Sequence, residues 1–452
     1  MNDMHSAQSE TRAWFLSWLL GAPLYSSSAL HLPNAHPPNA HLPNAHLPAM
    51  AVSVGPSTFL STPFLVGAVS ILIYFSVLGA ALLLCLLPVL SAPSSARSSS
   101  VWIYLTSGLA TFGITWFYIL RWIGSDLQAY WIQDPVQGFT NWVVHSDLFD
   151  AAYVAVVNSS AGWWWSCQHL LYTLTVIVFF WAEGPHRLDP AAGPKANTNT
   201  WIFVVLGFLG AMGFSVPLFL AQHHIYARGS LPVLVQPQPS MLLSICIGLS
   251  LLSVVSTTYT PLDSPLFGFN LKLLHGLLFL PIVIAGGLGI FAPRRSDHSD
   301  RSPPETARHR SHDSASQGYL SNLYWLIAGA AITSHAMLTL DHFSTRKLDA
   351  LGLWAAIWTN DCQTSISVDY LASLVVITFF MAREIVRQLS QTSQASKPKQ
   401  QQGLFLTTVA VGLLWSGLAA LALVASLSVV FPIFLAVREG WKLSAAQRHK
   451  TE

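Results

Sequence analysis

Phe64-Leu-Val-Gly-Ala-Val-Ser-Ile-Leu-Ile-Tyr-Phe-Ser-Val-Leu-Gly-Ala-Ala-Leu-Leu-Leu-Cys-Leu-Leu-Pro-Val-Leu90 carries no charged residue. At a rise of about 1.5 Å per residue, roughly 20 apolar residues cross the ~30 Å of hydrocarbon in a bilayer. Within that layer every peptide group needs a partner from its own segment, so the stretch reads as a transmembrane helix. Comparable runs follow at 101–120, 162–181, 201–221, 241–262, 268–292, 319–340, 368–382 with a polar lead-in, and 404–437. The expected fold is all-α, a polytopic transmembrane bundle of about eight or nine helices. The runs around Pro261 and between Ala350 and Tyr370 also fit re-entrant or broken helices.

Composition points the same way. Of 452 residues 52% are apolar and only 9% charged, with a mean hydropathy of +0.48. Soluble domains carry about 25% Asp, Glu, Lys and Arg, so this chain has too few charges to solvate its own surface. A net charge of +2 without a basic patch excludes nucleic acid as a partner. Cys85, Cys167, Cys246 and Cys362 form no C-x-x-C pair and signal neither a disulfide framework nor a zinc site.

Five stretches divide the chain. Residues 1–57 hold the repeat His31-Leu-Pro-Asn-Ala, His36-Pro-Pro-Asn-Ala, His41-Leu-Pro-Asn-Ala, His46-Leu-Pro, which has no means of building a core and reads as disordered. Met50 is an alternative start, and Trp14 to Leu20 is too short to span. Residues 58–292 hold helices one to six, and 293–318 form a polar, disordered linker. Residues 319–438 hold helices seven to nine, and 439–452 a basic tail. Charge does not settle orientation: a nine-helix count puts Arg97, Arg187 and Lys195 on one side and the basic runs at 294–310 and 383–399 on the other. Asn158-Ser-Ser160 is a glycosylation sequon, consistent with a lumenal loop.

Acids within or beside spans are costly, about 2.5–3.5 kcal/mol for a mid-helix Asp, and are candidate functional groups. The richest region is Trp131-Ile-Gln-Asp134-Pro-Val-Gln137-Gly-Phe139, then Asp147-Leu-Phe-Asp150, then Gly162-Trp163-Trp164-Trp165-Ser-Cys-Gln168-His169, closed by Glu183. A second cluster is Trp354, Trp358-Thr-Asn360-Asp361-Cys-Gln363, with Asp369, Tyr370 and Glu384. Trp131-x-x-Asp134 and Trp358-x-x-Asp361 match as a short duplication would. Plainer readings stand beside these. Asp134-Pro135 caps and starts a helix, Asp361 and Asp369 suit a helix N-terminus, and Glu183 suits the interface. Clustered Trp commonly forms an interfacial belt; the alternative is a cavity wall whose ring faces stabilise a cation by about 0.5–2 kcal/mol each. Lone His169, His275 and His335 read as satisfied interior side chains, and His223-His224 as interfacial. Neither D-D-x-x-D nor D-x-D-D occurs, so no magnesium-diphosphate or soluble protonating-cyclase motif is present.

Asp134-Pro135-x-Gln137, Leu148-Phe149-Asp150, Trp163-Trp164-Trp165-Ser166-x-Gln168 and Glu183-Gly184 together resemble the fungal membrane-bound terpene cyclases of ascochlorin and ascofuranone biosynthesis. The resemblance covers about 60 residues closely and the many-helix layout loosely. It implies a meroterpenoid cyclase of secondary metabolism using no metal and no cofactor, in the endoplasmic reticulum membrane, that protonates a terminal epoxide or olefin on a prenyl chain, often one carried by an aromatic or other polyketide head. The implied partners are a prenylated small molecule and the lipid bilayer. On this view Asp134, Asp361, Asp369 and Glu183 are the catalytic acids. Trp131, Gln137, Phe139, Trp163, Trp164, Trp165, Gln168 and Trp358 bind substrate. A proton- or ion-coupled transporter using the same acids is the competing expectation. The cyclase is preferred because Trp and Gln, not paired basic residues, accompany the acids. A non-catalytic membrane scaffold, in which all the acids tolerate substitution, is the third.

Overall fold

The computed structural model describes residues 62–146, 148–157, 159–184, 200–226, 241–261, 264–282, 306–345, 349–394 and 403–451, and no strand occurs among them. The helices are α1 (Thr62–Ser91), α2 (Ser99–Gln133), α3 (Gly138–His145), α4 (Leu148–Val157), α5 (Ser160–Glu183), α6 (Trp201–Leu209) and α7 (Met212–Tyr226). They continue with α8 (Met241–Tyr259), α9 (Pro265–Ile282), α10 (Thr306–Leu340), α11 (Ala350–Ala356), α12 (Asp361–Gln394), α13 (Gly403–Ala425) and α14 (Leu427–Thr451). Five segments, Thr62–Ser91, Ser99–Gln133, Ser160–Glu183, Gly318–Ser344 and Asp361–Ser390, are long and apolar enough to cross a membrane. The protein is thus an all-α bundle with the composition of a membrane protein.

Several expected boundaries move. The single span expected over 201–221 is two helices, because Gly207, Gly210 and Gly213 weaken the segment and the chain turns at Gly210. The span expected over 404–437 also breaks, at Ser426. Within the segment expected as a linker, α10 already begins at Thr306, and α14 continues through the supposed basic tail to Thr451. Between Ala350 and Tyr370 the chain breaks into α11 and α12. The histidine repeat, the alternative start at Met50, Asp147, the sequon Asn158, Arg187, Lys195 and residues 283–305 lie outside the described residues.

The chain forms two compact units: Met1–Ile73 with Leu127–Ser146, and Tyr74–Asp126 with Asp147–Glu452. Within the first, Phe139 of α3 lies edge-on to Phe64 of α1, ring centroids 6.5 Å apart. Gly138 is required at the turn into α3, since a Cβ there would lie 2.7 Å from the Trp131 Cα.

Within the second, α5 is the axial helix. Its most apolar window is 83% buried inside the protein, against 17% for α1, so α5 is core while α1 leaves most of its apolar surface exposed. It touches α14, α10, α8, α12, α4, α9, α11, α6 and α7. Ring packing fills its C-terminal half, with Phe180 and Phe219 centroids 4.4 Å apart. Lipid tails are as apolar as these side chains, so association relies on close packing and interhelical hydrogen bonds. Pro281 of α9 lacks an N–H, which leaves the Leu277 carbonyl without its helical donor, and Ser250 of α8 donates to that carbonyl at 2.7 Å.

Ser426, between α13 and α14, has φ of 72°, a left-handed conformation that costs a non-glycine residue about 1–2 kcal/mol. Side-chain bonds hold it: Ser426 Oγ lies 2.8 Å from Tyr370 Oη and 2.7 Å from Ser428 Oγ. Tyr370 Oη in turn accepts the Leu427 N–H at 2.8 Å, satisfying the first turn of α14. Ser426→Ala keeps the strain and removes the bonds, so it should destabilise by about 1–2 kcal/mol. Ser426→Gly relieves the strain while losing the same bonds and should cost less. Thermal unfolding of the two variants in detergent checks that order.

Candidate functional site

Asp369 lies inside α12 and reaches across to the break between α6 and α7. Its Oδ2 accepts the Met212 N–H at 2.9 Å and its Oδ1 the Gly213 N–H at 2.6 Å. The first N–H groups of a helix have no partner within it and form a ready anion site. Asp369 is therefore a cap, but of α7 and not of its own helix. Gly213 permits the approach, because a Cβ there would lie 2.8 Å from both Asp369 Oδ1 and the Asp369 carbonyl.

His169 of α5 completes the arrangement, its Nε2 lying 3.4 Å from Asp369 Oδ2. The pair is enclosed in rings. Tyr370 lies 6.2 Å from His169, 6.2 Å from Tyr172 and 5.9 Å from Trp165 between centroids. Trp165 Nε1 donates to the Leu353 carbonyl at 2.8 Å, and Trp164 Nε1 to Thr339 at 3.1 Å. Trp163 packs edge-on against Phe267 at 5.2 Å. All three indoles are buried. They belong to the bundle interior, not to an interfacial belt. Gln168, one turn on from Trp164 and Trp165, accepts from Ser428 Oγ at 2.9 Å.

The other expected acids stand elsewhere with partners of their own. Asp134, in the first compact unit, accepts the Val136 and Gln137 N–H groups, each at 3.0 Å, as the Asx turn that leads into α3. Gln137 is the residue before α3. Trp131, Phe139 and Trp358 face outward, 51%, 45% and 54% exposed. The Trp-x-x-Asp matches differ in local structure: Asp134 follows the end of α2, whereas Asp361 opens α12. Asp361 receives both arms of Arg121, with Nε to Oδ2 at 2.8 Å. Arg121 is half exposed, so solvent screens the pair and Arg121→Ala should shift thermal stability only slightly. A thermal shift well beyond that would place the pair out of water.

Glu183, at the end of α5, is the hub of a buried ion-pair network. Arg438 of α14 bonds Glu183 through Nη2 and holds Glu384 Oε1 at 3.6 Å from its Nε. Lys442 reaches Glu183 at 3.2 Å and Glu439 at 2.5 Å, Arg387 binds Glu384, and His223 Nε2 stands 3.4 Å from Glu183 Oε2. From the sequence, Lys442 falls in a basic tail after residue 438, and Trp and Gln, not paired basic residues, are expected beside the acids. The structure overturns both expectations, since α14 continues past Val437 and carries Arg438 back against α5.

Tyr172, Ser428 and Arg438 were not legible as site residues, and His169 and Tyr370 only as neighbours of the candidate acids and the Trp run. The one sequence signal was helical spacing: His169, Tyr172 and Gln168 share a face with Trp165. Among the described residues no three His, Cys, Asp or Glu side chains gather as a metal site requires. No protein-family model, curated protein or solved structure matches the chain.

Proposed function

We propose that this protein is an integral-membrane terpene cyclase, acting without metal on a prenylated small molecule in the endoplasmic reticulum membrane. The observation that carries the reading is the pairing of His169 with Asp369 inside a shell of Trp165, Tyr172 and Tyr370. Cyclisation of a prenyl chain needs a proton donor out of water, and aromatic faces to hold the cation that follows. An imidazole held by a buried carboxylate can deliver a proton to an epoxide oxygen. The C–O bond then opens to a hydroxyl and a carbocation, the chain's olefins attack that cation, and loss of a carbon-bound proton returns one to the site. Product and substrate have equal mass. Of the acids expected from the sequence, Asp369 takes this role. Asp361 and Glu183 are already paired with arginine, and Asp134 belongs to the other compact unit.

The test is to incubate microsomes containing the protein with a farnesylated phenol and with its terminal epoxide. An isomer of unchanged mass and shifted retention supports the reading, and the active probe tells epoxide from olefin protonation. The buried ion pairs around Glu183 favour a second reading, coupled transport. Flux of either probe across proteoliposomes with no isomer formed would replace catalysis by transport.

A further inference from the structure

Two helices too short to cross a membrane begin and end on one side of the second unit. α6 has 9 residues and α7 has 15, about 13 and 22 Å against the ~30 Å of hydrocarbon. α6 starts where α5 stops, since a Cβ on Gly184 would strike the Thr200 side chain. α7 returns to that end, where His223 Nε2 stands 3.4 Å from Glu183 Oε2 and Tyr226 Oη donates to the Pro88 carbonyl at 3.1 Å. The turn between them lies deep. The Leu209 carbonyl accepts from Tyr74 Oη at 2.6 Å, and Tyr74 is about four turns of α1 away from Pro88. Backbone that turns at membrane depth persists only inside protein with its polar groups paired. Both conditions hold: Asp369 takes the Met212 and Gly213 N–H groups, and α7 is buried from Met212 to Gln222.

This return changes the parity of the crossings. Counted as a span, 201–221 sets the basic runs at 294–310 and 383–399 opposite Arg97, Arg187 and Lys195; a returning pair brings them together. Contacts agree. Arg438, Lys442 and Glu384 gather at Glu183, and Ser321 of α10 donates to the Ala436 carbonyl at 3.0 Å. α8 starts at the same end, Ser244 Oγ lying 2.5 Å from Tyr319 Oη, and α9 runs back along it, Asn270 donating to Thr260 at 2.8 Å. From Tyr74 onward every Lys and Arg except Arg121, Lys272, Arg346 and Lys347 belongs to the Glu183 end or to a segment joining two helices there. Asp126, Asp341, Asp349 and Asp361 belong to the other end.

We propose that α6 and α7 form a re-entrant hairpin that enters and leaves the bilayer at the Glu183 end, and that this end is the cytosolic face of the protein, turned to the anionic phospholipids of that leaflet. Lys and Arg flanking membrane spans stay on the cytosolic side, where anionic headgroups attract them. The inference rests on the helices lying in a bilayer and not on the cyclase reading.

Sidedness is read by cysteine labelling of the full chain. The four native cysteines are buried, and the unmodified protein sets the background. In sealed microsomes, whose cytosolic face is outward, a membrane-impermeant maleimide should label Ser94→Cys, Ala192→Cys, Ser230→Cys and Ser444→Cys. Ser125→Cys should be labelled only after detergent opens the membrane. Ser94, Ser125 and Ser444 are exposed, and Ala192 and Ser230 flank the hairpin outside its helices. Labelling of Ala192→Cys with protection of Ser230→Cys, or the reverse, would make the pair a crossing and overturn the hairpin. Protection of both, with Ser125→Cys labelled in sealed vesicles, would overturn the cytosolic assignment. Absence of any isomer in the turnover assay would overturn catalysis and leave this topology standing.

Discussion

Replacing Arg438 by methionine should destabilise the protein by about 3–5 kcal/mol, the range found when one partner is removed from a buried ion pair. Arg438 is 2% exposed. It bonds Glu183 and stands beside Glu384, so its removal leaves the buried Glu183 and the largely buried Glu384 carboxylates sharing Lys442, Arg387 and His223. Glu183→Gln should cost less, because Arg438 keeps Glu384. The double variant Arg438→Met with Glu183→Gln should recover part of the loss, since one stranded charge is gone. Unfolding by graded detergent denaturation, followed by helical circular dichroism, gives all three values. A single Arg438→Met variant as stable as the wild type would mean that water reaches the network.

Asp369 should divide structure from chemistry. Asp369→Ala leaves the Met212 and Gly213 N–H groups without acceptors at the start of α7. Buried unsatisfied donors cost about 1–3 kcal/mol each, and a total of about 2–4 kcal/mol is expected after relaxation. Asp369→Asn keeps one acceptor and the volume, and should lose about 1–2 kcal/mol as the charge at the helix N-terminus disappears. That variant should fold yet form no isomer from the farnesylated probes, because His169 no longer faces a carboxylate. Both quantities are read from one preparation. A folded Asp369→Asn protein with wild-type turnover would confine Asp369 to capping, and the cyclase reading would lose its proton-handling pair.

The spans were legible because hydrocarbon imposes a length and forbids charge, and both properties are local. Residues 64–90 and 162–181 needed no neighbour to be read as helices. Breaks were less legible. Gly210 and Ser426 interrupt runs whose average hydropathy suits one long span; the break at Gly210 is stabilised by the Asp369 carboxylate, and that at Ser426 by the Tyr370 hydroxyl. Neither partner is near in sequence. The same holds for the acids. Local rules gave Asp134 the part of a cap, which the turn at Val136 and Gln137 fulfils, but no local rule tells that Asp369 caps a helix 157 residues away.

The amino-acid sequence by itself determined that this protein is helical and suited to a membrane, and which helix carries Trp163, Trp164, Trp165, Gln168 and Glu183. Composition and periodicity suffice for that, since each helix satisfies its own backbone. Only the tertiary structure decided which charges are matched. Arg438 reaches Glu183, Arg121 reaches Asp361, and His169 reaches Asp369. A buried charge takes its role from the partner that compensates it, and that partner is chosen by packing between helices distant in the chain.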